Sequence, residues 1–287
     1  MARSRDIHRR MKSVDNTRKI TRTMEMVATA KLRQAQRRVI ESREYARRLT
    51  EVIQGLVTPE LAEVEPLLRE PEQVRRAAVV LLSSNRGLCG SFNSGLIRTG
   101  MAKVAEFGAA GAETELHVYG TKAVSYCRYR EIPMATARND LGDPPGQDDA
   151  QTLVGNLARR FADGSLDAVS LVFAEFRNMV STPPVVKQVL PVSVDAPTSV
   201  SPYYILDPSA DGILGALLPL YVTNSAFSAL LETAAAEQAA RRTAMKAATD
   251  NAEDFLNTLR RTFNRARQAE ITNQIAEIIG GAAALED

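Results

Sequence analysis

Chemistry would be sought first in the stretch Ser84-Asn85-Arg86-Gly87-Leu88-Cys89-Gly90-Ser91. An apolar run from Ala77 to Ser83 enters it and a helical stretch near Ser94–Phe107 leaves it. A glycine-rich turn from strand to helix is where α/β proteins cradle phosphate on backbone amides. The residues do not complete that chemistry, because they form neither G-x-G-x-x-G nor G-x-x-x-x-G-K-[ST] and supply no lysine to reach a phosphate. Cys89 would need a partnered base to act as a nucleophile, yet His8 belongs to the first helix and His117 to a predicted strand, so Cys89 reads as a buried structural thiol. Asp140, Asp143, Asp148 and Asp149 fall in a Pro/Gly loop, where solvation and helix capping near Asp148 account for them. Two cysteines, Cys89 and Cys127, and two histidines complete neither a disulfide framework nor a zinc site. An α/β enzyme built on the glycine-rich turn stays as a third reading of the chain.

Charge offers a different handle. Residues 1–50 hold 15 Lys/Arg against 5 Asp/Glu, although the whole chain of 287 residues carries only +2. Such a concentration fits a solvated face, a nucleic-acid contact or a surface matched to an acidic protein partner. Nucleic-acid binders interleave aromatics among their basic residues, and Tyr45 is the only aromatic in this segment. A basic coiled-coil nucleic-acid-binding protein is therefore the rival reading rather than the leading one.

The elements that must position these residues follow from periodicity. From Arg3 to about Val57 no proline occurs, and Ala, Arg, Met, Leu and Glu dominate, which predicts one long helix. Its seam reads Ile7, Met11, Val14, then Ile20, Met24, Val27, then Val39, Ala46, Leu49, Ile53, Leu56, at the alternating steps of a coiled coil. At 1.5 Å per residue the helix is about 80 Å long. A second helix is expected from about Gly212 to Ala284 and about 110 Å long, with a seam through Met245, Ala248, Ala252, Phe255, Leu259, Phe263 and Ala266, then Ile271, Ile275, Ile278 and Ala282. Pro219 predicts a kink or a separate first turn. The two helices should pair antiparallel in a left-handed supercoil. Between them, strands at Ala77–Ser83, Leu116–Tyr119 and Ala168–Phe176 alternate with helices near Ser94–Phe107 and Ala150–Phe161, which predicts an α/β insert on a largely parallel sheet. Pro59–Pro71, Asp143–Pro145 and Pro183–Pro184 read as loops. No run of 18 apolar residues and no apolar leader occurs, so a soluble chain in a reducing cytoplasm is expected.

Three stretches then carry a resemblance: Lys19-Ile20-Thr21-Arg22-Thr23-Met24-Glu25-Met26-Val27-Ala28, Asn85-Arg86-Gly87-Leu88-Cys89-Gly90, and Ala244-Met245-Lys246-Ala247-Ala248-Thr249-Asp250-Asn251-Ala252 continuing to Ala266-Arg267-Gln268-Ala269-Glu270-Ile271-Thr272. In this order and near the chain's ends they resemble the F-type ATP synthase gamma subunit. The resemblance implies a long antiparallel N- and C-terminal helical coiled coil with an inserted Rossmann-like α/β domain, divided as 1–57, 58–207 and 208–287. It implies a central rotor shaft that mechanically couples transmembrane ion flow, of protons or of sodium, to ATP synthesis or hydrolysis. It also implies one copy per complex, with the alpha and beta subunits as the surrounding hexamer and the epsilon subunit and membrane c-ring beside the foot, peripheral on the cytoplasmic face of the bacterial cell membrane. Catalytic residues, nucleotide and Mg²⁺ would belong to neighbouring subunits, with no cofactor or metal and no nucleic acid bound here. By position, Arg267, Gln268 and Thr272 resemble the family's polar contacts with beta, and Met24 and Met26 lie in the opposing stretch. The alanines 282–284 resemble a low-friction tip. Tyr204-Ile205-Leu206-Asp207-Pro208 departs from the family's Tyr-x-aromatic-Glu-Pro, Pro219-Leu220 replaces a basic pair, Ala236 and Arg242 replace the usual serine and methionine, and no cysteine-bearing insertion of the chloroplast type is present.

Overall fold

The computed structural model describes residues 2–58, 61, 64–193 and 210–286, with side chains from Ser4 to Thr58, at Leu61, from Val64 to Ser193 and from Gly212 to Ile279. The chain forms two compact units: Met1–Val27 with Arg242–Asp287, and Ala28–Arg241. The expected feature at Tyr204–Pro208 and the side chains of Ala282–Ala284 lie outside the described residues.

Helix α1 spans Ala2–Leu56, the extent that its helix-favouring composition dictates. Its inward face takes every third or fourth residue without a break: Ile7, Met11, Val14, Arg18, Thr21, Glu25, Ala28, Leu32, Ala35, Val39, Ser42, Ala46, Leu49, Ile53 and Leu56 are all buried or half-buried. This corrects the expected seam in its middle. Ile20 and Val27 are 60% and 53% exposed, while the polar Thr21 and the small Ala28 face inward. A strict heptad phase carried from Ile7 passes through those polar positions, and phase overrides side-chain hydrophobicity.

The long C-terminal helix, α5 once the insert is numbered, spans Ala210–Glu286. It runs through Pro219, so neither a break nor a separate first turn occurs; Pro219 faces solvent, where a missing N–H costs least. In the first unit its inward residues are Met245, Thr249, Ala252, Leu256, Leu259, Phe263, Ala266 and Glu270, again at steps of 4 and 3. Leu256 is 3% exposed and Phe255 52%, so Leu256 holds the seam position expected of Phe255. The pair is antiparallel there, since Thr21 hydrogen-bonds Thr249 at 2.8 Å and His8 lies against Phe263 with ring centroids 5.9 Å apart. Beyond Glu270, Ile271, Ile275 and Ile278 are exposed.

The second unit contains a five-stranded sheet. In chain order the insert runs β1 (Arg76–Leu82), α2 (Phe92–Ala109), β2 (Glu113–Tyr119), α3 (Thr121–Tyr129), β3 (Thr136–Arg138), α4 (Gln147–Ala162), β4 (Ala168–Ala174) and β5 (Pro184–Leu190). The strand order is β3-β2-β1-β4-β5, parallel except for the β4–β5 hairpin. Pro184, expected in a loop, opens the edge strand β5, a position where its missing N–H interrupts no ladder. Strand β3 and helix α3 were also unannounced by periodicity. One face of the sheet, through Ala78, Val80, Leu171 and Phe173, packs with α4, the C-terminal end of α1 and the start of α5. The other, through Ala77, Val79, Leu81 and Val118, packs with α2 and α3. An 18-residue window between Gly212 and Ile279 is apolar enough to cross a membrane by composition alone, but Leu214, Leu218, Val222 and Leu230 of α5 are spent on this core.

Candidate functional site

The glycine-rich turn is satisfied by its own side chains. Ser84 N–H donates to Asn93 Oδ1 at 3.0 Å, and Ser84 Oγ donates to the Arg86 carbonyl at 2.6 Å. Asn85 Oδ1 accepts from Thr121 N–H at 3.0 Å while its Nδ2 donates to the Asn139 carbonyl at 3.1 Å, so one amide ties together the loops that follow β1, β2 and β3. Gly120, at φ +100, makes this possible, because a Cβ there would press into the Ser83 carbonyl. Cys89 is buried, with Asn93 Nδ2 3.2 Å from its sulfur, and burial pushes its thiol pKa above the ordinary value. That is the opposite of nucleophile activation.

In open α/β sheets ligands bind outside the carboxyl ends of the strands where strand order reverses, here between β1 and β4. This crevice is taken by α5. From it Arg241 donates to the Gly87 carbonyl at 3.4 Å and Glu232 accepts from Phe176 N–H at 3.2 Å. The loop carboxylates are likewise committed: Asp140 to Arg138, Asp143 to Lys31 at 2.9 Å, and Asp149, rather than Asp148, to the Gly146 N–H at the start of α4 at 2.7 Å. His117 faces Thr136 and Glu115, not Cys89.

The outer faces of the helix pair in the first unit remain. Beside its seam the pair carries half-buried flanks and an exposed outer face. Met26 is exposed and Met24 half-buried; Arg267, Gln268 and Thr272 are all exposed. Thr272 Oγ1 donates to the Gln268 carbonyl at 3.0 Å, which places positions 268 and 272 on one helical face. The two groups are not brought together. The methionines lie within a turn or so of the Thr21–Thr249 contact, whereas Arg267 lies beyond the His8–Phe263 contact, roughly 30 Å further along at 1.5 Å per residue. Arg5, Arg9 and Lys12 line an open groove with His8 and Phe263. Sequence reasoning missed this groove, and it missed the Arg43–Glu232 pair at 3.0 Å. A lone acid within Ala229-Leu230-Leu231-Glu232-Thr233-Ala234-Ala235-Ala236 was the available signal for that pair.

Comparison with known proteins decides what this architecture belongs to. The ATP synthase family profile matches residues 3–285. The ATP synthase gamma chain of Gemmatimonas aurantiaca is 50% identical over the whole of both chains, and that of Leptospira biflexa 38% identical over 99% of this chain and all of the relative. The chain belongs to the ATP synthase gamma chain family. Among solved structures, a chain of the Euglena gracilis mitochondrial ATP synthase, in an OSCP/F1/c-ring assembly, matches with TM-score 0.68 at 16% identity, covering 99% of this chain and 95% of that one. A chain of the Tetrahymena thermophila mitochondrial ATP synthase central stalk and c-ring matches with TM-score 0.58 at 21% identity, covering 80% and 99%. These two likenesses establish the shared fold.

Proposed function

We propose that this chain is the rotor shaft of an F-type ATP synthase, one copy per complex, turning inside a hexamer of alpha and beta subunits and joined at its α/β end to an epsilon subunit and the membrane c-ring. The observation that carries this is the self-sufficient heptad seam. Residues 7–27 and 245–270 satisfy each other and leave outer faces of unequal chemistry: basic along α1, apolar at Met26 and Val27, polar at Arg267, Gln268 and Thr272. Such a shaft within a threefold sleeve presents a different face to each catalytic site. Each site then prefers the conformation that its current contacts favour, and turning the shaft moves that preference round the ring. Transmembrane ion flow, of protons or of sodium, would drive the turning in synthesis, and hydrolysis would reverse it.

The division 1–57, 58–207 and 208–287 assigns the two chain termini to the sleeve and the insert to the foot. The concentration of Lys and Arg in residues 1–50 suits an acidic loop on beta. Met24, Met26, Arg267, Gln268 and Thr272 are assigned to subunit contacts. The place of work is the cytoplasmic face of a bacterial cell membrane, where the chain is peripheral.

Affinity purification of the native chain tests the reading against the nucleic-acid alternative. Alpha and beta subunits should dominate the eluate at near three copies each per shaft. An eluate lacking them, with nucleic acid retained in a strongly salt-dependent manner, would overturn it.

A further inference from the structure

A shaft must be gripped where torque enters it, and α5 is a poor surface to grip. From Ala235 to Ala239 its buried residues are Ala235, Ala236 and Ala239, whose methyl groups permit close approach without deep interdigitation. One turn before this smooth stretch, among the buried Leu230, Leu231 and Thr233, is Glu232, 8% exposed. Its two oxygens serve different elements: Oε1 accepts from Arg43 Nε of α1 at 3.0 Å, and Oε2 from the Phe176 N–H, at the base of the β4–β5 hairpin, at 3.2 Å. Arg43 closes the triangle by donating through a second nitrogen to the Phe176 carbonyl at 2.8 Å. The Phe176 ring sits in the small cluster with Leu32, Val39 and Leu231 that fills the space below.

We infer that Glu232 is a positioning residue: with Arg43 and the Phe176 backbone it forms a torque-bearing joint between the two helices and the sheet. Apolar contact resists separation but is non-directional, whereas a charge-assisted triangle fixes angle and distance among three elements at once. Burial strengthens it, since little water competes for the carboxylate. Under load, α5 cannot turn against the sheet without breaking the Phe176 bond, nor slide along α1 without breaking the Arg43 bond.

The inference rests on the shaft reading, and the test separates the two. The complex is assembled with its partner subunits in lipid vesicles, and ATP hydrolysis is compared with the membrane potential it generates, read with a potential-sensitive dye. Glu232→Ala should leave hydrolysis within about twofold of wild type while lowering the potential per ATP at least threefold. Glu232→Gln should lie between, because an amide oxygen still accepts the Phe176 N–H but loses the charge toward Arg43. Arg43→Ala, at a half-exposed position, should reproduce the alanine effect, and the double variant should be no worse than either single one. Wild-type coupling in assembled Glu232→Ala or, where that variant does not assemble, in Arg43→Ala overturns the joint. A wild-type chain that neither assembles nor couples overturns the shaft reading instead.

Discussion

At the scale of single residues, His117 shows how burial sets a pH limit on the fold. Its Nδ1 lies 2.9 Å from Thr136 Oγ1, and its Nε2 lies 3.4 Å from Glu115 without the alignment of a hydrogen bond. Burial lowers its pKa below 6.5; the nearby Glu115 carboxylate pulls the other way and loses. The unfolded chain therefore binds the proton first. The stabilisation is complete above about pH 6.5 and is lost progressively as pH falls toward the folded-state pKa. Glu115 acts lower down. The bidentate Arg160 holds its carboxyl below the ordinary value, so that contribution disappears only within the carboxylate range. His117→Gln should flatten the fall in unfolding midpoint just below about pH 6.5 while leaving the steeper loss in the carboxylate range. An unchanged slope across the upper window, followed by thermal melts at stepped pH, would assign the dependence to another group. The cysteines speak to the same scale: an isolated thiol between glycines invites a nucleophile reading, the want of a partnered base argues against it, and burial beside Asn93 and Ser84 agrees.

At the scale of elements, what the sequence made legible was extent rather than phase. Both long helices and three of the strands could be placed because composition and apolar runs are continuous signals. The seam was misplaced around Ile20 and Val27 because apolar residues were followed where the heptad passes through Arg18, Thr21 and Glu25. A buried polar position such as Thr21, bonded to Thr249, is invisible until its partner 228 residues away is known. Strand β3 is three residues long, and β5 begins at a proline, so neither offers enough period to read. The corrected phase has a measurable consequence. Leu256→Ala should destabilise the helix pair by about 2 to 4 kcal/mol, as buried leucine truncations do, whereas Phe255→Ala should cost less than about 1 kcal/mol. Denaturant titration followed by helical circular dichroism reads both. The reverse order would restore the sequence-derived seam.

At the scale of the whole molecule, the family could be read because its residues cluster in three stretches, while the contact residues could be assigned only by position within them. The structure leaves Arg267, Gln268 and Thr272 exposed on α5, with Thr272 using its own hydroxyl proton on the Gln268 carbonyl. Two roles remain distinguishable by experiment. If the three merely solvate the helix, replacing all of them by alanine changes stability by no more than about 0.5 kcal/mol and leaves turnover untouched. If they grip beta in some rotor positions only, each charge-assisted bond is worth about 1.5 to 3 kcal/mol, enough to alter a rate roughly tenfold or more. Redundancy among neighbours can mask one of them, so the triple variant is the fair test. The expected outcome is a fully assembled complex whose ATP synthesis and hydrolysis both fall at least tenfold, while the isolated chain melts within a degree or so of wild type. The stability term is predicted to be small because none of the three faces the seam, and the rate term large because contacts made in only some positions act on the barrier rather than on the ground state. Wild-type rates in the assembled triple variant would withdraw the contact role from these residues and move the search for the grip to the basic groove of Arg5, Arg9 and Lys12.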